Sequence, residues 1–183
     1  IFLLKLTAEG EIFYFQERIG YKNKKFRIWK FATMLKNSMN MGSGSITLRD
    51  DYRVTRIGKF LRKSKINELP QLVNILKGDI SLVGPRPLVV KTFDAYSNDV
   101  KRIIYNVKPG LTGVGSIYFR DEEQIISIYG KKNPHKYYVE NIAPTKGQLE
   151  IWYQQNKSIY LDIKLIIFTL IVVAFPETSI VKK

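Results

Sequence analysis

The stretch INELPQLVNILKGDISLVGPRP, Ile66 to Pro87, decides how the chain is read. Asn67 is placed to cap a helix, and Pro70 falls in that helix's first turn, where a missing N–H costs little. The apolar run after Pro70 continues the helix, and Gly78 ends it. SLVGPRPLV must then be extended, because a residue before proline is pushed out of the α region. Arg86 lies between two prolines, so its backbone has little freedom and its guanidinium is pre-positioned. A planar fork of donors fits phosphate oxygens, and Gly84 lets the backbone come close to a ligand. An arginine that merely bonds loop carbonyls is an equally good reading. Glu68 alone, in a first turn, reads as electrostatic decoration.

Upstream, EIFYFQERI (11–19) and KKFRIWKFATM (24–34) are β-prone runs around the turn-like GYKNK, which reads as a hairpin. Phe26, Ile28 and Trp29 are expected to face a core, with Arg27 and Lys30 pointing elsewhere. Residues 37–51 are small and polar, the best loop candidate. VTRIGKFLRKSK spaces Val54, Ile57, Phe60 and Leu61 as an amphipathic helix. Downstream, 89–106 reads as helix, VKPGLTGVGS as a turn-rich passage, and DEEQIISIYG and KGQLEIWYQQN as further helices. The expected fold is α+β: a small β-hairpin with surrounding helices, in one domain over 1–183. The segment 159–176 is the most apolar. Its uncharged part, Leu165 to Phe175, is too short to span a bilayer, which needs about 20 residues. It reads as a helix in the core or at a membrane interface, with Trp152, Tyr153 and Tyr160 before it.

The 183 residues carry a net charge of +14, which attracts nucleic acid, anionic lipid or phosphate-bearing substrates. Without cysteine there is no disulfide, thiol nucleophile or cysteine zinc site. The single histidine, His135, sits in a polar run and reads as a solvated loop residue. Chemistry must therefore rest on carboxylates, lysines and arginines, with any metal held by oxygen. Arg18, Lys30, Arg62 and Arg120 are the further cationic candidates. Asp79, Asp121, Glu122, Glu123 and Glu150 are carboxylates able to hold a divalent ion, although most such residues only solvate a face. GLTGVGS is not a P-loop, since no Lys-Ser or Lys-Thr follows it. No helix clusters base-reading residues, so nucleic acid is not expected as a partner.

FYFQERIGYKNKKFRIWKFATM, VTRIGKFLRKSKINELPQLVNILKGDISLVGPRPLV, VKPGLTGVGS and SIYLDIKLIIFTLIVV together resemble the bacterial sugar transferase family, in order and over nearly the whole chain. These are monotopic polyprenyl-phosphate phosphoglycosyl transferases. The resemblance implies transfer of a sugar-1-phosphate from a UDP-sugar to undecaprenyl phosphate, with Mg2+ assisting and UMP released. Such a step starts O-antigen, capsule, exopolysaccharide or glycoprotein glycan assembly. It implies an Asp-Glu dyad before LPQ, with the aspartate as nucleophile and the glutamate at the metal. It also implies a catalytic part on the cytoplasmic face of the bacterial inner membrane, among anionic lipids. By the same resemblance Glu68 is the dyad glutamate and a metal residue, and Arg86, Arg62, Lys30, Arg18 and Arg120 are substrate-phosphate contacts. Glu150 falls where many members carry an aspartate. A homo-oligomer stays open.

Three departures stand out. The dyad aspartate is Asn67, which lacks the charge to form an acyl phosphate. Ala32 replaces a common basic residue. The re-entrant N-terminal helix is missing, and IFLLKL reads as the end of a longer apolar segment, so N-terminal truncation is expected. Asn67 leaves three readings: an active branch, a deliberately trapped enzyme, or a silent member that binds ligands and scaffolds. In an active branch Glu68 or Asp121 to Glu123 supplies the nucleophile, or the polyprenyl phosphate attacks directly. Asn67 as a plain helix cap also stays open.

Overall fold

A computed structural model describes residues 4–5, 10–44 and 46–175. The remainder of the opening IFLLKL run and residue 176 of the last predicted segment lie outside them. β1 (Phe13–Ile19) and β2 (Lys25–Phe31) form the antiparallel hairpin, in a register that sets Tyr14 opposite Lys30 and Arg18 opposite Phe26. Side chains alternate across a strand, so Phe26, Ile28 and Lys30 share one face. Trp29 lies on the other, edge-on to Phe15. The reading of Lys30 is thereby corrected: strand parity turns it inward with Ile28. Ala32 is buried with Leu4, in a cluster that Tyr14, Phe31, Ile57 and Leu61 complete.

α1 (Arg56–Lys63) starts at Thr55, whose hydroxyl accepts from the Gly58 N–H. Ile57 and Leu61 pack inward as expected, but Phe60 is exposed. A 3-10 turn (Ile66–Glu68) leads into α2 (Gln71–Lys77), which Gly78 closes at φ 78°. The helix therefore begins after Pro70, and Asn67 does not cap it. The Leu69 N–H already donates to the Ile66 carbonyl, and Pro70 has no N–H to offer. Asn74, fully buried on α2, imitates a neighbouring strand. Its Oδ1 accepts from Trp29 N at 2.9 Å, and its Nδ2 donates to the Arg27 carbonyl at 2.8 Å and to Asp79 at 2.9 Å.

β3 (Ser81–Val83) pairs in parallel with β4 (Gly110–Thr112). The passage read as turn-rich thus holds a strand and a short helix, α5 (Val114–Tyr118). Its glycines permit backbone to touch backbone. A Cβ on Gly84 would lie 2.5 Å from the Lys108 carbonyl, so this glycine serves chain packing rather than ligand approach. The 89–106 segment is two helices, α3 (Val90–Phe93) and α4 (Asn98–Ile103), because Ser97 caps a fresh start. After α6 (Glu122–Tyr129), α7 (Pro134–Tyr137) runs through a π turn (Tyr138–Ile142) into α8 (Ala143–Asn156). Pro144 has no N–H for an ordinary helical bond, which accounts for the widened turn before it. His135 lies in α7, half-buried, not in a solvated loop. The main core gathers Ile19, Leu88, Tyr96, Ile104, Tyr105, Ile126 and Ile142. α9 (Ile159–Ala174) lies against β3 and α5, and no described helix is long and apolar enough to cross a membrane.

Candidate active site

Glu68 ends the 3-10 turn with its carboxylate under the inward face of β2. Its Oε1 accepts from Lys30 Nζ at 3.2 Å and from Arg86 Nη2 at 2.6 Å. β2 supplies the lysine, and the extended segment after β3 supplies the arginine. Arg18, on β1, donates from Nη1 to the Pro87 carbonyl at 3.1 Å and from Nη2 to Gln16. The Nε of Arg18 is buried without an acceptor. Three cations thus surround one carboxylate, in a place largely withdrawn from water.

The electrostatics follow from that imbalance. Burial, with Arg86 and Arg18 beside it, brings the Lys30 ammonium down to about 7, although Glu68 pulls the other way. Burial and Arg86 lower Arg18 to about 10. Burial alone would raise Glu68, but Arg86, Lys30 and Lys65 hold it well below the usual carboxylate range. Glu68 raises Arg86. An entering phosphate would relieve the repulsion among the cations and keep Lys30 charged. A pH dependence follows. For a diphosphate ester, which has no group on its diphosphate that titrates near neutrality, affinity should fall as pH rises through about 7 and Lys30 loses its proton. Calorimetric titration from pH 6 to 9, approximate limits, is the check. Lys30→Met should flatten the slope, and a slope kept in Lys30→Met but lost in Glu150→Gln would assign it to Glu150 instead.

Asn67 precedes Glu68 and is 6% exposed, with a buried Oδ1 that has no hydrogen-bond partner. The other sequence candidates lie around this centre rather than on Glu68. Arg62 Nη1 reaches Glu123 at 3.5 Å, and its Nη2 reaches Thr47 at 3.3 Å. Arg120 lies 4.0 Å from Asp121. Glu122 takes the buried ammonium of Lys146. Glu122 and Glu123 are both close enough to raise Arg86. Glu150 is 1% exposed, and burial pushes it up to about 7. The charge of Lys146 and, after it, the amides of Arg86 and Gly115 partly offset that, yet neither carboxyl oxygen accepts a well-formed bond. Among the described residues no group of three or more acids or histidines could hold a metal. Sequence reading missed Lys146, Asn74 and Tyr105. The last donates its O–H to the Arg86 carbonyl at 2.8 Å. Of these only Asn74 carried a signal, an amide inside the apolar run LVNIL.

Comparison with known proteins gives a consistent picture. The family described as bacterial sugar transferase matches residues 1–176. The chain is 35% identical over 172 residues to the UDP-N-acetylgalactosamine-undecaprenyl-phosphate N-acetylgalactosaminephosphotransferase of Aeromonas hydrophila, covering 92% of this chain and 36% of that protein. It is 36% identical over 169 residues to an uncharacterized sugar transferase, EpsL, of Bacillus subtilis, covering 92% and 73%. It is 33% identical over 174 residues to the undecaprenyl-phosphate glucose phosphotransferase of Komagataeibacter xylinus, covering 91% and 30%. The chain therefore spans about a third of the Aeromonas and Komagataeibacter proteins.

Proposed function

The chain belongs to the bacterial sugar transferase family, and from that premise we propose that it moves a sugar-1-phosphate from a UDP-sugar to undecaprenyl phosphate and releases UMP. The observation that carries this reading is the cluster of Arg18, Lys30 and Arg86 around the single carboxylate of Glu68. Such a cluster receives a diphosphate and stabilises the charge that grows on its oxygens during transfer. Neither cysteine nor histidine is needed for that.

Asn67 carries no charge with which to attack phosphorus, and Glu68 is drawn to two cations through Oε1. Glu122 is taken by Lys146, Glu123 lies on Arg62 and Asp121 lies beside Arg120, so the nucleophile in this reading is an oxygen of the polyprenyl phosphate. It forms the new P–O bond as the bond to UMP breaks, and UMP leaves with the electron pair. Mg2+ fits as a metal held mainly by substrate and water. Glu68 and the unpartnered Oδ1 of Asn67 are oxygen donors of the kind it takes. When bound, it would offset charge on the diphosphate.

Both substrates and the position at the cytoplasmic face of the bacterial inner membrane belong to the same proposal. Its support is the apolar surface. α2 exposes Leu72 and Leu76, the latter 88% exposed, with Leu69 just before the helix. α9 exposes Ile159, Ile163, Ile167 and Leu170, with Trp152 and Tyr160 nearby. The charge of +14 suits anionic lipids. Asn67 favours a second reading, a silent member that binds these ligands and scaffolds glycan assembly.

A panel of UDP-sugars labelled in the sugar, added to membranes holding the protein, tests the proposal. Label should enter the lipid extract for at least one sugar. UDP-sugar binding with no labelled lipid would favour the silent reading, and no binding at all would remove both.

A further inference from the structure

Arg86 lies in a segment held at each peptide. The Pro85 carbonyl accepts from the Gly110 N–H at 2.9 Å, and the Leu88 carbonyl from the Ile19 N–H at 2.8 Å. The Pro87 carbonyl accepts from Arg18 at 3.1 Å. The Arg86 carbonyl accepts from the hydroxyl of Tyr105 at 2.8 Å, and the same hydroxyl accepts from the Leu88 N–H at 3.0 Å. Pro85 and Pro87 have no N–H, so the segment's amides belong to Arg86 and Leu88. One phenol oxygen thus takes up the peptide groups on both sides of Pro87.

Tyr105 is 1% exposed and stacks on Phe93 with ring centroids 5.9 Å apart. Burial keeps its proton well above the usual phenol range, so the hydroxyl stays a donor at any working pH. The other anchors are main-chain bonds or Arg18, which has its own charge in the site. The Tyr105 hydroxyl is the one anchor that a single-atom change removes while the ring stays in the core.

We propose that Tyr105 is a positioning residue for Arg86: its hydroxyl fixes the Pro-Arg-Pro segment so that the guanidinium is held at Glu68, ready for the phosphate. The inference rests on the transfer reading above, because it takes Arg86 as a phosphate contact. Tyr105 never touches the substrate and acts through the backbone of Arg86. Glu150, next to the Arg86 amide, borders the same segment.

The test uses the whole protein in membranes, UDP with Mg2+ as the probe, and Tyr105→Phe with and without Arg86→Ala. Tyr105→Phe should weaken UDP binding about tenfold when Arg86 is present, the order of one weakened hydrogen bond to a charged group. With Arg86→Ala already made, the same change should cost less than about twofold, since interacting residues are non-additive. Exchange of the Leu88 amide should quicken in Tyr105→Phe, whatever the protein's activity. Equal weakening in both backgrounds would overturn the inference, because the change would then act through the fold. Unaltered UDP affinity in Tyr105→Phe would overturn it too, leaving the transfer reading intact. An unmodified protein that fails to bind UDP would remove both, while Leu88 exchange would still show whether the hydroxyl holds the segment.

Discussion

On the proposed transfer, Arg86→Ala and Glu68→Gln should each abolish activity while leaving the protein folded. Removing a preorganised charge from a transition state costs on the order of a hundred- to a thousandfold, and in the proposed reading both residues serve the same phosphate. The two changes fail for opposite reasons. Without Arg86 the pocket loses the cation closest to Glu68, at 2.6 Å, and keeps Lys30 at 3.2 Å. Without the Glu68 charge, Lys30, Arg18 and Arg86 face one another uncompensated, and Lys30 gives up its proton below its present value of about 7. Arg86→Ala should keep the fold because its segment is anchored through its backbone and its side chain is one-third exposed, and Glu68→Gln should keep it at a lower melting temperature, since glutamine fills the same space and Lys30 can shed its charge. UMP release and a thermal melt, taken together, check this. Full activity in either variant would sink the assignment of the site.

Arg53→Met should give a large loss of stability. Arg53 is 1% exposed and pairs with Asp51 through Nε at 2.8 Å and Nη2 at 2.6 Å. It also donates to the carbonyls of Ser38 and Met41 at 2.8 Å, Gly44 at 2.7 Å and Ile46 at 2.9 Å. One guanidinium thus organises most of the 37–51 loop. Methionine fills similar space but leaves Asp51 unpaired and those carbonyls without their donor. Breaking a buried pair from one side costs about 3–5 kcal/mol. At about 2–4 °C per kcal/mol for a chain of this size, the melting temperature should drop by roughly 6–20 °C. A drop under about 2 °C would show the loop is held by something else. The pocket should feel the change, since Thr47 in this loop takes a bond from Arg62.

What could be read from the sequence was whatever lay within one element. The β-prone runs around GYKNK gave the hairpin, and Gly78 gave the end of α2. Lys30 shows the limit. Its parity with Phe26 and Ile28 already placed it inward, but a charge at that position argued the other way until its partner was known. That partner, Glu68, is 38 residues away, and Arg86 is 18 beyond it. No spacing rule joins residues that meet only when α2 and β3 fold back under β2. The resemblance to the family supplied those names, and the geometry supplied their meeting. Asn67 was misjudged as a cap because capping needs a free amide, and the turn before Pro70 leaves none. Arg53 lies just before a helix that starts at Arg56, in a run rich in basic residues where nothing marked one of them as buried. The Tyr105 hydroxyl had no signal, since it sits in an apolar run where any aromatic would pack.

The most direct test of the central claim is UMP release in membranes with a panel of UDP-sugars, undecaprenyl phosphate and Mg2+. It compares the protein with Asn67 in place against Asn67→Asp. Attack by the polyprenyl phosphate itself predicts that the Asn67 protein turns over, and that UMP appears only when undecaprenyl phosphate is present. If only Asn67→Asp releases UMP, the chain as it stands is a disabled transferase, and direct attack by the polyprenyl phosphate is contradicted.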